Sequence, residues 1–434
     1  MDVKITGTTA AEIAGSVRGL RERGVLRPGD ALPPVRELAG LLGINRNTAV
    51  AAYRQLAQAG LVVSRGRAGT LIAGGDSVAQ EGVADTVLHD VGSGNPDPRL
   101  IPDPTAALGR IVGRPVLYGE PVIDAGLEAW TREWMHGDLP RDDMRICVTS
   151  GAVDAVERLL AQALMRDDAV ALEDPCFLAS IHTVRLGGYR AVPVPVDDEG
   201  MTVEGLRAAL KAGVRAIIST PRAQNPTGVS LSPARASALR AELAEHPYVL
   251  IIEDDHFSLL SSHAYASLIG PEHRRFALVR SVSKFLGPDM CLALTATDPT
   301  TAERLAMRLS PGTTWVSHLL QRLAHAQLTD GGVRTQISAA AAHYAGKNAA
   351  FAAALAVRGI TTTSTDGLSL WVRLSIPARV ATDRLMRRGW LARPGDEFRL
   401  DEAAPPSHHL RLTVHDLSDD DAERLIDDIA AAQR

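Results

Sequence analysis

The amino-acid sequence predicts two domains of different class: a small basic helical domain, followed by a larger acidic α/β domain with a mostly parallel sheet. The chain of 434 residues is too long for one ordinary core, because domains usually run to about 150 residues. Residues 1–75 contain ten Lys and Arg against five Asp and Glu, a net charge of +5, which leaves −10 for the remainder. Further along, apolar runs typical of buried strands alternate with stretches of helical length.

The composition is that of an ordinary soluble globular protein, with 45% hydrophobic and 22% charged residues. The first 30 residues do not resemble a signal peptide, and no apolar run reaches the roughly 18 residues that a membrane helix needs. We therefore expect a cytoplasmic protein. Three widely spaced cysteines form no CxxC pair, and the histidines show no metal-ligand spacing, so no metal site is expected.

The first two helices are predicted from capping signals and periodicity. Thr9 and Glu12 have the spacing of a capping box, and an apolar face recurs at helical period up to Gly24. In "LRPGDALPPVRELAGLLGI", prolines precede a second helix that Gly43 ends.

A third helix is predicted over "NRNTAVAAYRQLAQAG", with Val50, Tyr53 and Ala57 facing inward. Together with the second helix and the tight turn between them, it forms a helix-turn-helix. The following "LVVSRGRAGTLIAG" predicts two short strands joined by a basic turn, which is a wing.

Basic and polar residues cluster on the elements that would meet a nucleic acid. The start of the third helix can donate to base edges or phosphates, and the wing adds positive charge. A helical domain with a merely solvated basic face is the alternative, but three coincident features favour DNA binding. The DNA-contacting candidates are Arg36, Arg46, Asn47, Thr48, Arg65, Arg67 and Gly69.

The large domain is predicted from four buried strand runs. We place the DNA-binding domain at residues 1–75, a linker at 76–90 and the α/β domain at 91–434. The runs "AVALED", "RAIIST", "YVLIIED" and "FALVRS" are separated by helix-length sequence, which indicates a parallel sheet covered on both faces. Ligands of such sheets bind at the carboxyl ends of the strands.

Polar residues follow three of these strands. Asp254 ends one strand, Asn225 lies in "NPTG" after another, and Lys284 follows a third. Each has an alternative reading as a strand cap or turn former. A carboxylate, an amide and a lysine at one sheet edge nevertheless indicate a site.

This set of residues suits pyridoxal phosphate. Lys284, between small residues, can form a Schiff base, and a buried Asp254 can keep a pyridine nitrogen protonated. Asn225 can donate to the ring oxygen, and Phe177 can stack on the ring, although an aromatic there is also typical of plain core. Candidates for binding the phosphate are Ser150, Gly151, Ala152 and Ser281.

Two segments carry a resemblance to known families. Through "RPGDALPPVRELAGLLGINRNTAVAAY" and "GRAGTLI", residues 5 to 75 resemble the winged-helix domain of GntR-family regulators. From about residue 90 onward, "TSGAVDAVERLL", "TPRAQNPTG", "RSVSKFLGPD" and "HLRLT" resemble the fold-type I aminotransferases. The whole chain thus resembles a MocR-type regulator of the GntR family, and within that group the PtsJ-type regulators.

The resemblance implies a homodimer that binds double-stranded operator DNA and holds pyridoxal 5'-phosphate as an aldimine on Lys284. It further implies a repressor of vitamin B6 salvage, with the pyridoxal kinase gene as target. By position, His256 lies near the ring oxygen, Tyr118 reaches the phosphate of the partner subunit, and Arg411 is the candidate for binding an effector carboxylate.

One position departs from the pattern. Seven residues after the lysine, where the family carries an arginine on the phosphate, this chain has Cys291. Losing a charge-assisted contact costs about 1.5 to 3 kcal/mol, so we expect weaker cofactor binding, which suits a sensor. Arg222 is a candidate to compensate.

Two other functions compete with the regulator. A working aminotransferase with a DNA-binding appendage is favoured by Arg411 and disfavoured by Cys291 and the intact winged helix. At most, residual half-reactions are expected. An empty dimerisation scaffold would need none of Lys284, Asp254 and Asn225.

Overall fold

A computed structural model describes residues 4–59, 61–64, 69–72, 86–111, 114–309, 315–364, 366–401 and 404–434. The chain divides into two compact units, one formed mainly by residues 1–80 and the other by most of the remaining chain. Across those described ranges, no helix combines the length and the hydropathy that a membrane span requires.

The small unit is a three-helix domain with a two-stranded hairpin. Its elements are α1 (Ala10–Glu22), α2 (Val35–Leu42), α3 (Arg46–Gln58), β1 (Val62–Ser64) and β2 (Thr70–Ile72). The predicted capping box at Thr9 and Glu12 is formed, and Gly43 ends α2 in the left-handed conformation at φ +64°. The two strands pair antiparallel with Val62 opposite Ile72, as a wing requires.

The predicted inward face of α3 is partly wrong. Tyr53 is buried, but Val50 is 37% exposed and Ala57 is exposed as well. The helix instead buries Ala49, Ala52, Tyr53 and Leu56, a set with the same helical period. Small alanine side chains let the neighbouring helices approach closely, which larger apolar residues at these positions would prevent.

The large unit is built on a mostly parallel sheet. Its strands are β3 (His89–Asp90), β4 (Arg145–Thr149), β5 (Ala169–Asp174), β6 (Arg190–Asp197), β7 (Gly200–Met201), β8 (Val214–Ser219), β9 (Leu250–Asp254), β10 (Phe276–Ser281), β11 (Ala293–Thr297), β12 (Leu370–Arg373), β13 (Trp390–Leu391), β14 (Arg393–Pro394) and β15 (His409–Leu412). The main sheet has the order β4-β11-β10-β9-β8-β5-β6-β7, and β10, β9, β8, β5 and β6 run parallel. The four predicted strand runs are confirmed as β5, β8, β9 and β10.

Helices cover this sheet and build a smaller C-terminal subdomain. They are α4 (Thr105–Leu108), α5 (Ala125–Asp138), α6 (Ala152–Ala163), α7 (Leu178–Leu186), α8 (Val203–Lys211), α9 (Pro233–Leu243), α10 (Pro299–Leu309), α11 (His318–Thr329), α12 (Gly331–Val357), α13 (Ala378–Met386) and α14 (Asp419–Ala432). In the subdomain, β12, β15 and β14 form a second sheet, against which α13 and α14 pack. The helix α14 is capped by the residue before it: Ser418 Oγ accepts a hydrogen bond from the Asp421 amide at 3.1 Å.

The long helix α12 belongs to both hydrophobic cores of the large unit. Ile337, Ala340 and Tyr344 lie in the core around the main sheet. Phe351 and Leu355, further along the same helix, lie in the core of the C-terminal subdomain.

Candidate functional site

Three predicted ligand residues line one cleft at the carboxyl edge of the main sheet. Parallel strands place their carboxyl ends at the same edge, and the loops after β8, β9 and β10 start there. Asn225, His256 and Lys284 come from these three loops and line the cleft together. The structure therefore brings together side chains that the sequence spaces over 60 residues.

Asp254 lies at the end of β9, buried beside this cleft and only 7% exposed. Its Oδ1 atom has no hydrogen-bond partner in the described part of the chain, which is rare for a buried carboxylate oxygen. Burial and the charge of Asp255 raise the pKa of Asp254 to about 7, against the opposing effect of Lys284. This oxygen suits a protonated ring nitrogen, so the donor set fits the pyridoxal phosphate that the sequence predicts.

The neighbouring Asp255 is fully buried between two arginines. Arg222 donates to both of its carboxylate oxygens, Nε to Oδ1 at 3.0 Å and Nη2 to Oδ2 at 2.5 Å. Arg280 Nε donates to Oδ2 at 2.8 Å. Although burial alone would raise it, the two guanidinium groups hold the pKa of Asp255 below its usual value. Arg222 is therefore engaged by Asp255, and the contact gives no support for its predicted role in replacing the phosphate arginine.

Arg280 is fully buried and extends this ion cluster away from the cleft. Its Nη2 atom donates to Asp138 at 2.5 Å, and its guanidinium lies over the rings of Trp134 and Tyr265 at 4.6 and 5.1 Å. Arg280 is part of β10, the strand that leads to Lys284. The cluster thus fixes β10 to β9 beneath the cleft.

The loop that carries Asn225 is held by its neighbour Gln224. The side-chain amide of Gln224 donates to Glu173 at 3.2 Å and to the Pro175 carbonyl at 2.8 Å. Its oxygen accepts from the amide and the hydroxyl of Thr227. Burial raises the pKa of Glu173 to about 7.

The candidates for the phosphate lie at the same edge, on the other side of Lys284. Because β11 runs antiparallel between β10 and β4, the ends of β4 and β10 face the same residue, Ala293. Ser281 is buried, and its hydroxyl donates to the Ser283 hydroxyl at 2.9 Å. Ser150 is exposed, and Gly151 and Ala152 begin α6, whose N-terminus has no side-chain cap.

The remaining candidates differ in placement. Cys291 is exposed and follows a short turn at φ +39°. Phe177 is half-buried after β5. Tyr118 is 87% exposed and packs on Trp315 with ring centroids 5.3 Å apart, outside the residues that line the cleft.

Arg411 reaches the cleft from β15. The side chain is fully buried, and Nη1 donates to Asn225 Oδ1 at 3.3 Å. Nη2 donates to the Gly92 carbonyl at 2.5 Å, and the guanidinium lies over the Phe398 ring at 4.9 Å. The structure therefore places the carboxylate candidate next to the ring-oxygen candidate.

The small unit presents part of its predicted DNA-contacting set at the start of α3. Asn45 caps this helix by accepting a hydrogen bond from the Asn47 amide at 2.8 Å. Arg46 and Asn47 are exposed there, and Thr48 is half-buried. Arg36 and Gly69 are exposed too, whereas Arg65 and Arg67 lie outside the described residues.

Sequence reasoning missed several residues of the cleft. Gly94 lines it from the segment before α4, and Asp366, Gly367, Leu368 and Ser369 line it from the segment before β12. The Asp255 ion cluster was missed as well. Its signal was Arg280 in the apolar run "FALVRS", because an arginine in a buried strand requires a charged partner.

Comparison with known proteins gives two family matches. The model described as aminotransferase class I and II matches residues 113–429, and the model of bacterial regulatory proteins of the gntR family matches residues 9–72. The chain is 46% identical over 430 residues to the vitamin B6 salvage pathway transcriptional repressor PtsJ of Salmonella typhimurium, covering 99% of both chains. It is 28% identical over 285 residues to the pyridoxine biosynthesis transcriptional regulator PdxR of Corynebacterium glutamicum, covering 62% of this chain and 61% of that one.

Solved aminotransferase structures share the fold of the large unit. The kynurenine aminotransferase of Pyrococcus horikoshii matches with a TM-score of 0.72 at 21% identity, covering 80% of this chain and 91% of that one. The α-aminoadipate aminotransferase LysN of Thermus thermophilus matches with a TM-score of 0.69 at 22% identity, covering 80% and 92%. The predicted fold, a winged helix before a fold-type I aminotransferase-like domain, is confirmed.

Proposed function

The chain belongs to the regulators that join a GntR-family domain to an aminotransferase class I and II domain, and we propose that it is a pyridoxal 5'-phosphate-responsive repressor of vitamin B6 salvage. The assignment of pyridoxal phosphate as the ligand rests on one observation. Lys284 and Asn225 line a cleft beside buried Asp254, whose Oδ1 atom has no hydrogen-bond partner in the described part of the chain. The proposed target is the pyridoxal kinase gene. The name of the Salmonella relative, which this chain matches over 99% of its length, supports repression of vitamin B6 salvage.

Each residue of the cleft has a proposed role in binding. Pyridoxal phosphate supplies an aldehyde and a ring nitrogen that is positively charged when protonated. Lys284 provides the amine, Asp254 the negative charge for the ring nitrogen, and Asn225 with His256 polar contacts to the ring oxygen. The start of α6 and Ser281 provide donors to the phosphate, and Phe177 borders the ring.

DNA is bound through the small unit in this proposal. The exposed start of α3, with Arg46 and Asn47, enters the major groove, while Thr48, Arg36 and the wing contact the backbone. The net charge of +5 in residues 1–75 supports this assignment, because phosphate contacts dominate affinity for DNA.

We propose a homodimer formed by the large unit. Several large apolar side chains in the segments before α5 and at the start of α11 are exposed, and exposed apolar surface is typical of protein interfaces when it is contiguous. They are Leu108, Leu117, Tyr118, Val122 and Leu319. A second copy of this chain would cover them and bring Tyr118 to the partner's phosphate site.

The first test is a titration with pyridoxal phosphate followed by near-visible absorption, with Lys284→Ala as control. We expect a new band in the wild type and none in the variant. Binding to DNA from upstream of the pyridoxal kinase gene should then change with the cofactor in the wild type alone. Absence of the band at all concentrations would contradict the proposal.

A working aminotransferase is the second candidate, favoured by the buried Arg411 beside Asn225. We propose at most residual half-reactions, because Cys291 offers no charge to hold the cofactor through turnover. Steady-state kinetics with amino acids and 2-oxo acids discriminate the two functions. Sustained turnover comparable to a dedicated enzyme would favour the enzyme.

A further inference from the structure

Residues 92–97, which we name the strap, pass beside the cleft and contact both of its cationic ligand candidates. Lys284 Nζ donates to the Gly94 carbonyl at 3.0 Å. Arg411 Nη2 donates to the Gly92 carbonyl at 2.5 Å. The two residues proposed to take an aldehyde and a carboxylate are thus also the residues that hold the first half of the strap.

Other side chains hold the strap without lining the cleft. The Thr413 hydroxyl accepts a hydrogen bond from the Gly94 amide at 3.0 Å, and both residues are buried. His415 Nε2 donates to the Asn95 carbonyl at 3.0 Å, and the Tyr344 hydroxyl accepts from the Asp97 amide at 3.1 Å. These bonds fix the backbone so that the Gly94 carbonyl points at Lys284.

We propose that the Gly94 carbonyl is an internal competitor for Lys284, and that Thr413 sets the strength of this competition by positioning Gly94. The inference rests on the proposed function, because it concerns how pyridoxal phosphate reaches the same lysine. It makes Thr413 a residue that determines affinity for the cofactor, although its side chain does not line the cleft.

The competition follows from the chemistry of the amine. When the neutral amine of Lys284 condenses with an aldehyde, a C=N bond replaces the aldehyde C=O, and the oxygen leaves as water with two hydrogens of the amine. The lysine nitrogen then carries at most one hydrogen instead of the three of the ammonium. The hydrogen bond to Gly94 is lost or weakened, so its strength opposes condensation.

The position of the strap in the sequence is relevant to regulation, because it follows closely after the segment that leads from the small unit. It lies just after β3, whose two residues pair with β13, and β3 follows the segment that leads from the small unit. Release of Gly94 therefore changes a contact that lies only four residues after the end of β3. This gives cofactor binding a physical starting point for altering DNA affinity.

The test is Thr413→Val, which keeps the shape of the side chain and removes the acceptor for Gly94. The matched control is Thr413→Ser, which keeps the hydroxyl. We expect Thr413→Val to bind pyridoxal phosphate about fivefold more tightly, since an ordinary hydrogen bond is weakened, and Thr413→Ser to resemble the wild type. The readout is the dissociation constant from the absorption titration.

A second ligand separates competition at the lysine from general loosening of the cleft. Pyridoxine 5'-phosphate has an alcohol in place of the aldehyde and cannot condense with Lys284. Its affinity, measured by calorimetry, should be the same in Thr413→Val and in the wild type. Equal tightening of both ligands, or no tightening of pyridoxal phosphate, would overturn the inference.

Hydrogen–deuterium exchange on the wild type gives an answer even if Thr413→Val does not fold. The peptide covering residues 92–97 should exchange faster after addition of pyridoxal phosphate, and not after pyridoxine phosphate. Unchanged exchange together with a Lys284-dependent absorption band would overturn the inference that Gly94 competes for Lys284, and it would leave the proposed function standing. Absence of the band would overturn both.

Discussion

The two sides of the candidate cleft are built in opposite ways. The ring side, formed by Lys284, Asp254 and Asn225, rests on a buried ion cluster in which Asp255 and Arg280 are fully buried. The proposed phosphate side is mixed: Ser150, Cys291 and Tyr118 are exposed, Gly151 and Ala152 are half-buried, and Ser281 is buried. One folded chain thus completes the ring side, whereas the phosphate side depends on the ligand and, in our proposal, on a second copy.

The difference teaches where affinity can be tuned without loss of fold. A change on the ring side disturbs charges that are buried and paired, so stability and binding change together. A change at the exposed residues of the phosphate side, Cys291 and Tyr118, should alter binding alone. The following four predictions test this separation.

The largest effect is expected from Arg280→Met, which removes one of the two buried arginines that pair with Asp255 and the arginine that pairs with Asp138. We expect a loss of about 3 to 5 kcal/mol in the free energy of unfolding, measured in urea. Arg207→Met is the control, because the pair of Arg207 with Glu242 lies at the surface. A loss at Arg280 no larger than that at Arg207 would show that the ion cluster does not support the ring side.

Cys291→Arg should strengthen binding without changing stability. A guanidinium at this position can contact the phosphate, so we expect affinity for pyridoxal phosphate to rise by about 1.5 to 3 kcal/mol, or roughly ten- to a hundredfold. Cys291→Ser is the control, with unchanged affinity. An arginine without effect would mean that the side chain at 291 does not reach the phosphate.

Asp254→Asn should change how stability depends on pH. The pKa of Asp254 is raised to about 7, so the folded protein keeps a proton that the unfolded chain loses at about pH 4. Its contribution to stability is therefore full below about pH 4 and declines as pH rises to about 7. Asparagine does not titrate, so the stability of the variant should not show this decline. Relative to the wild type, its free energy of unfolding should rise over this range by up to about 1.4 kcal/mol per pH unit.

Asp143→Asn is the matched control for that experiment. Arg141 lowers the pKa of Asp143, so the ionised carboxylate stabilises the fold above about pH 4, and this contribution is lost as pH falls through the lowered pKa. The free energy of unfolding of the variant should therefore fall relative to that of the wild type as the pH rises from acidic values. The same sign for both variants in pH-dependent urea unfolding would contradict the assignment.

The smallest effect is expected from Tyr118→Phe. If the hydroxyl reaches the partner's phosphate, its removal costs about 0.5 to 1.5 kcal/mol of cofactor affinity, or roughly two- to tenfold. Tyr248→Phe is the control, since this exposed tyrosine precedes β9 at the opposite edge of the sheet. Equal affinities in the wild type and in Tyr118→Phe would show that the Tyr118 hydroxyl does not contact the phosphate.

Much of the fold and of the ring side could be predicted because local signals determine them. A buried parallel strand is a continuous apolar run, and its carboxyl end is where polar residues reappear, which placed Asp254, Asn225 and Lys284 at one edge. The signal for the capping box at Thr9 and Glu12 was equally local. By contrast, the prediction that Val50 lies on the buried face of α3 was wrong. Two sets of apolar residues on this helix recur at helical period, and the buried set contains Ala49 and Ala52 instead of Val50.

The contacts missed in the sequence are those between distant segments. Arg222 and Asp255 are 33 residues apart and meet only because β8 and β9 are neighbours in the sheet. Asp366 reaches the cleft after the whole of α12, and the strap meets Thr413 across more than 300 residues. These pairings could not be predicted from the sequence. Each partner is a residue of a loop, and the periodicity of the sequence around it does not indicate which distant residue it contacts.

The helix α12 gives the large unit a mechanical property. With 27 residues it extends for about 40 Å, and its two halves are embedded in different cores. Unfolding of one core would leave half of α12 without its packing partners while the other half stays packed in the second core. We therefore expect the two cores to unfold together, in one calorimetric transition. Cofactor bound in the cleft would then raise the melting temperature of both cores by the same amount.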